Sequence, residues 1–193
     1  MKNTCLTMLV SFIVMTLQSG IGNAKDSSTI LLEQSEELIG AFYSFDPQLL
    51  EAALAFAESS KPQILFYQGW AKGGNYQIVT RKPCIQHENK IISCSITVKD
   101  DLMKALGIPF DVTDTFHLTF INEKLIKVST SSNDLQVFLD AEKWVWKNRP
   151  KLVTLPCNGY FEGGTTPEKC IKAMVKGYAA FSKSKDFPRE VKF

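Results

Sequence analysis

The 193-residue chain carries 22 Lys and Arg against 20 Asp and Glu, a formal net charge of +2, and 45% hydrophobic residues. Its basic residues are scattered, with no run longer than Arg81-Lys82, which argues against nucleic acid as a partner, because that requires a concentrated basic face. The hydrophobic content and length suit one ordinary domain with its own core.

Residues 1–24 have the form of a secretory signal: Lys2, a mostly apolar stretch from Leu6 to Leu17, and small residues in Gly22-Asn23-Ala24. The apolar run is short of the ~20 residues that a membrane span needs. Cleavage near Ala24 would leave residues 25–193 as a single exported domain, periplasmic or secreted, without a membrane span. Four of the five cysteines form two close pairs, and the fifth, Cys5, lies in the leader. Such pairs behind an export signal predict two structural disulfides, Cys84–Cys94 and Cys157–Cys170.

In chain order, Asp26, Ser27 and Ser28 offer caps for a helix over 29–44, with Leu31, Leu32, Leu38, Ile39, Phe42 and Tyr43 at helical spacing. Asp46-Pro47 starts a second helix to about Ala57, expected to bury Leu49, Leu50, Ala53 and Phe56. Ser60-Lys61-Pro62-Gln63 has the form of a capping box and Gly73-Gly74 of a stop, predicting a helix over 61–72.

Strands are predicted over 76–86 and 90–99 around His87-Glu88-Asn89, with Cys84 opposite Cys94. Cβ atoms of directly opposed cross-strand residues lie ~4.5–5.5 Å apart, close to disulfide range. Asp100 caps a short helix ending at Gly107, and strands over 111–122 and 125–131 turn at Asn122-Glu123-Lys124. Phe116, Leu118 and Phe120 alternate with Thr115, His117 and Thr119, so the two sets occupy opposite faces. A helix over 133–148 carries Phe138, Ala141, Trp144 and Val145 and stops before Pro150. Thr165-Thr166-Pro167-Glu168 begins the last helix, which bears Cys170.

Three helices, an antiparallel sheet of about four strands and further helices make an α+β chain. Ala41-Phe42-Tyr43 before Asp46-Pro47, Trp70-Ala71 with Asn75-Tyr76, and Thr113-Asp114-Thr115-Phe116 leading to Phe120 and Lys124-Leu125-Ile126 carry a resemblance over about residues 34–148. On these residues the chain resembles the nuclear transport factor 2-like superfamily, especially its SnoaL-like (polyketide-cyclase-like) bacterial members. It is also similar to exported members with the Pro83-Cys84…Cys94 and Cys157…Cys170 elements. The resemblance implies a cone-shaped curved sheet packed on the N-terminal helices, whose mouth holds a small hydrophobic molecule. The same fold supports cofactor-free isomerases, dehydratases and cyclases, and dimerising interaction domains; fold alone does not choose among them.

Asp114 shares a strand face with Phe116, Leu118 and Phe120. A carboxyl among aromatic rings would hold its proton more tightly and could shuttle it, whereas at a rim it would only cap or solvate a loop. Tyr43, Tyr67, Trp70, Tyr76, Phe116 and Trp144 combine apolar bodies with, for Tyr and Trp, a polar handle, as ligand-pocket walls do; packing a sheet under helices calls for the same residues. His117 falls on the outer sheet face with Thr115 and Thr119, where a homodimer could form. With His87 in a turn and four cysteines in bridges, few ligands remain for a metal, and no cofactor motif appears. Gly163-Gly164-Thr165-Thr166 reads as a stapled turn with a helix cap, lacking the spacing and lysine of a phosphate loop.

Overall fold

The computed structural model of the chain describes residues 26–87, 91–159 and 166–191. The leader over 1–24, Glu88-Asn89 of the expected turn and Gly163-Gly164-Thr165 lie outside the described residues. Helix α1, Ser27–Tyr43, begins where the Asp26 carboxylate accepts the Thr29 amide at 2.9 Å. It buries Leu31, Leu38, Ile39 and Phe42 at intervals of three, four and seven. Asp46 caps α2, Pro47–Ala53, by accepting the Gln48 amide at 2.9 Å. That helix is shorter than its sequence predicts, and its buried stripe runs Leu50, Leu54, Ala57, while Leu49 and Phe56 face outward. The inward stripe is the one at i, i+4 and i+7; Phe56 instead lies under the Lys124 ammonium, 4.7 Å from its ring centroid.

Helix α3, Lys61–Gly73, starts at Ser60, but not by the expected capping box. The Ser60 hydroxyl accepts the Val128 amide at 2.9 Å, tying the helix start to a strand 68 residues away. Gln68, buried, holds Nε2 3.1, 3.0 and 3.3 Å from the carbonyls of Ala41, Phe42 and Asp46, which share its two N–H donors. These carbonyls also accept from the Ser44 hydroxyl and the Phe45 and Leu50 amides, and the Gln68 amide adds a tie from α3 to the α1–α2 corner.

The sheet comprises β1 (Gln77–Arg81), β2 (Ile85–Gln86), β3 (Ile91–Lys99), β4 (Val112–Ile121) and β5 (Lys124–Ser132). All described pairings are antiparallel in the order β1-β3-β4-β5, with β2 also on β3. The first predicted strand is therefore two pieces. Pro83 lies in the break and has no N–H to donate to a ladder, and the register also slips between Ile78 and Thr80. Cys84 still meets Cys94 in a disulfide, as the pairing of Ile85 with Ser93 requires. Asn122 and Glu123 both have positive φ, 49° and 60°, and make a two-residue turn whose twist matches the strands it joins.

One sheet face buries Ile92, Cys94, Ile96 and Val98 of β3 with Val112, Phe116, Leu118 and Phe120 of β4. The other face is a ladder of hydroxyls. Ser95 bonds Thr115 at 3.0 Å and Thr97 bonds Thr113 at 2.9 Å, while His117 lies between Ser93 at 3.2 Å and Ser131 at 3.0 Å. Between β3 and β4, α4 (Asp101–Leu106) is capped by Asp100, which accepts the Met103 amide, and ends at left-handed Gly107.

After the sheet come α5 (Gln136–Asn148), α6 (Pro150–Val153) and α7 (Glu168–Phe181). Pro150 both ends α5 and opens α6, because a proline costs nothing at the first helical position. Cys170 of α7 bonds Cys157, the second disulfide. Thr166, expected to cap α7, instead donates its hydroxyl to the Phe66 carbonyl of α3 at 2.9 Å. Helix α7 packs against α3, α4 and α5, and Gly177 lets it approach Val145 of α5 closely. No helix among the described residues is long and apolar enough to cross a membrane.

Candidate functional site

A cavity of about 360 Å³ opens between α3, the inner sheet face and α5. Phe66, Tyr67, Trp70 and Ala71 reach it from α3, where spacings of one, four and five residues fall on one helical stripe. Phe42 and Phe116 meet edge to face, 4.9 Å between centroids, where α1 packs against the sheet, and Tyr76 enters from the segment before β1. Phe138 of α5 closes the far side, edge to face with Trp70 at 6.4 Å. The polar lining is Asp114 on β4, Thr130 to Ser132 on β5, Asp134 just beyond, and Glu142 on α5.

Asp114 pairs across the sheet with Ser132, whose hydroxyl donates to Asp134. The strand pairing therefore brings two carboxyls 20 residues apart in sequence to one mouth. Burial pushes Asp114 up to about 7, with the negative charges of Asp134 and Asp100 adding to the effect. Among the described residues none donates a hydrogen bond to its carboxyl. Asp134 is also raised by burial, with the Ser132 hydroxyl pulling the other way. Burial pushes Asp100 up to about 6, against the amide bonds it accepts at the start of α4.

Two phenols face these acids. Tyr43 and Tyr76 hold their protons more tightly than usual, first through burial and then through Asp114. The Tyr43 hydroxyl is buried without a hydrogen-bond partner among the described residues. Arg81 lies near enough to oppose the effect on Tyr43, but its guanidinium is engaged by Glu36 at 2.6 Å. Glu36 is held below the usual carboxylate range: partial burial pushes it up, and the Cys84 amide and Arg81 together outweigh that. At neutral pH the cavity thus has an acid poised to hold or give a proton and, in Tyr76, a phenol that stays protonated, with that of Tyr43 behind it.

Of the residues singled out in the sequence, Asp114, Tyr67, Trp70, Tyr76 and Phe116 line this cavity. Tyr43 is behind it, 5.0 Å from the Phe42 ring centroid. Trp144 is elsewhere: its indole donates to Asp186 at 2.8 Å, its ring packs 5.4 Å from Phe181, and Arg149 lies over it at 5.5 Å. Sequence reasoning missed Asp134 and Glu142. Strand parity gives the face of Asp114, but Asp134 arrives through the register of β5, which no local pattern encodes.

A larger and more open crevice of about 800 Å³ runs along α4, with Lys99 and Lys104 beside Asp101 and Asp111. Charges of both signs and access to water select no particular chemistry there. Among the described residues no group of three or more His, Cys, Asp or Glu is arranged to hold a metal ion. Comparison with protein-family models, curated proteins and solved structures found no match for the chain.

Proposed function

We propose that this is an exported SnoaL-like protein whose cone-shaped cavity binds a small apolar or aromatic molecule. The observation that carries the reading is the cavity of about 360 Å³ walled by Trp70, Tyr67, Phe66, Phe116 and Phe138, with Asp114, Asp134 and Glu142 among its polar groups. An aromatic wall combined with placed polar groups is what small-molecule sites have, and the volume lies at the small end of their range of ~300–1,000 Å³. The succession of three helices, antiparallel sheet and closing helices supports the family reading. Two disulfides and the form of residues 1–24 support export to an oxidising compartment.

The test is a native mass spectrum of protein purified gently from an oxidising compartment, followed by titration with 2-phenylethanol, 2-phenylethylamine and phenylacetate. Thr130→Phe, which puts a ring into the cavity from β5, is run in parallel. A retained small molecule, or saturable binding of any probe that Thr130→Phe abolishes, supports the reading. A bare protein that binds none of them sinks it.

A second reading is catalytic: a cofactor-free isomerase, dehydratase or cyclase in which Asp114 moves a proton beside Tyr43 or Tyr76. A carboxyl raised to about 7 favours it, since a general acid–base works best near the ambient pH. Asp114→Asn should then abolish turnover while ligand affinity survives; unchanged turnover excludes the role.

A further inference from the structure

The charges that face the cavity are all of one sign. Asp114 comes from β4, Asp134 from the segment after β5 and Glu142 from α5, with no Lys, Arg or His in the lining. Behind them, Asp100 at the start of α4 adds a further negative charge felt by Asp114. Arg81 of β1 is a cation felt by Tyr43 of α1, and it is already paired with Glu36. The neutral polar groups in the lining are the side chains of Thr130, Ser131 and Ser132 and the phenols of Tyr67 and Tyr76, with Tyr43 behind the wall.

The apolar wall has the same preference. The faces of Trp, Tyr and Phe rings are the negative ends of their quadrupoles and attract cations, most strongly where water is excluded. Acidic groups and ring faces together reject an anion and favour a positive charge over a neutral isostere. We propose that the occupant of the cavity is a compact organic cation, an alkyl or arylalkyl ammonium, with its charged head between Asp114 and Asp134 and its apolar body against Trp70 and Phe116. This rests on the ligand-binding reading above and adds the ligand's charge to it.

The sign of the pH dependence separates this from the alternative. At pH 8 the acids are ionised and attract an ammonium. As pH falls through about 7 Asp114 takes up its proton, and the attraction weakens. A neutral ligand that accepts a hydrogen bond from protonated Asp114 would show the opposite trend.

The experiment is calorimetric titration of the full chain with 2-phenylethylamine, 2-phenylethanol and phenylacetate at pH 8 and pH 5.5. The ammonium should bind at least about tenfold more tightly than the alcohol at pH 8, a gap of about 1.4 kcal/mol, and the gap should narrow to about threefold at pH 5.5. Asp114→Asn should remove most of the preference for the ammonium over the alcohol at pH 8. Should that variant fail to fold, as judged by circular dichroism, Asp134→Asn carries the test in the same direction. Equal binding of ammonium and alcohol at pH 8, or tighter binding of phenylacetate, overturns the cation assignment and leaves the cavity a ligand site. Absence of binding by all three probes overturns the assignment together with the reading beneath it.

Discussion

Asp114→Asn should stabilise the protein at pH 8 and leave its stability nearly unchanged at pH 4. The Asp114 carboxyl moves from 3.8 to about 7 on folding, because burial and the charges of Asp134 and Asp100 disfavour its ionised form. For an acid raised in this way the destabilisation is absent below the unfolded value, where both states are protonated. It grows as pH rises between about 4 and 7 and is complete above. At about 1.4 kcal/mol per tenfold change in proton affinity, the full effect is about 4 kcal/mol. Asparagine removes the charge and buries an amide at about the cost of the neutral carboxyl it replaces, so a net gain of about 3–4 kcal/mol at pH 8 is the expected reading. Urea denaturation of both proteins at pH 4, 5.5, 7 and 8, compared at constant m, measures it. A difference that does not vary with pH, or a loss at pH 8, would refute the account of Asp114 as an acid held in an unfavourable place.

Three other perturbations test the frame around the site. Replacing Cys84 and Cys94, or Cys157 and Cys170, by alanine opens loops of 10 and 13 residues. Each pair should lose about 3 kcal/mol in denaturant melts, and peptide mapping of the unreduced protein should find no crossed bridge. Gln68→Leu removes the buried amide that joins α3 to the carbonyls of Ala41, Phe42 and Asp46, and should lower stability by about 1–3 kcal/mol in the same assay. Gly177→Ala would put a methyl 2.5 Å from Val145 Cγ2 and 2.6 Å from Cγ1. The stiff valine cannot swing aside, so about 1–3 kcal/mol should be lost, with part recovered when Val145→Ala is added.

Where local chemistry decides the outcome, the sequence was a good guide. Asp26, Asp46 and Asp100 each cap a helix as their positions predict, and the alternation through Phe116, Leu118 and Phe120 gives the buried face of β4. The symmetry of Cys84 and Cys94 about a turn gives a bridge because cross-strand partners are set by counting outward from that turn. The misses come from distant partners. Ser60 and Thr166 look like caps, yet each bonds a backbone group of another element, Val128 and Phe66. Trp144 falls on a helix that faces both the cavity and α7, and spacing alone does not say which side receives it. Asp134 was not legible because its place depends on the pairing of Asp114 with Ser132.

The same strand face gives the strongest internal reason to treat Asp114 as functional. Val112, Phe116, Leu118 and Phe120 on that face are 1, 1, 0 and 6% exposed, an unbroken apolar row apart from position 114. A chain selected only for its core would continue the row with Val or Leu, which packs there without desolvating a carboxyl. Asp114 is instead placed where two further acids raise its proton affinity and the cavity, rather than a packed side chain, faces it. Local rules of this kind fail chiefly at functional sites, where the lost stability is offset elsewhere in the fold. The two disulfides supply stability of the right size, about 3 kcal/mol each against the few that Asp114 removes.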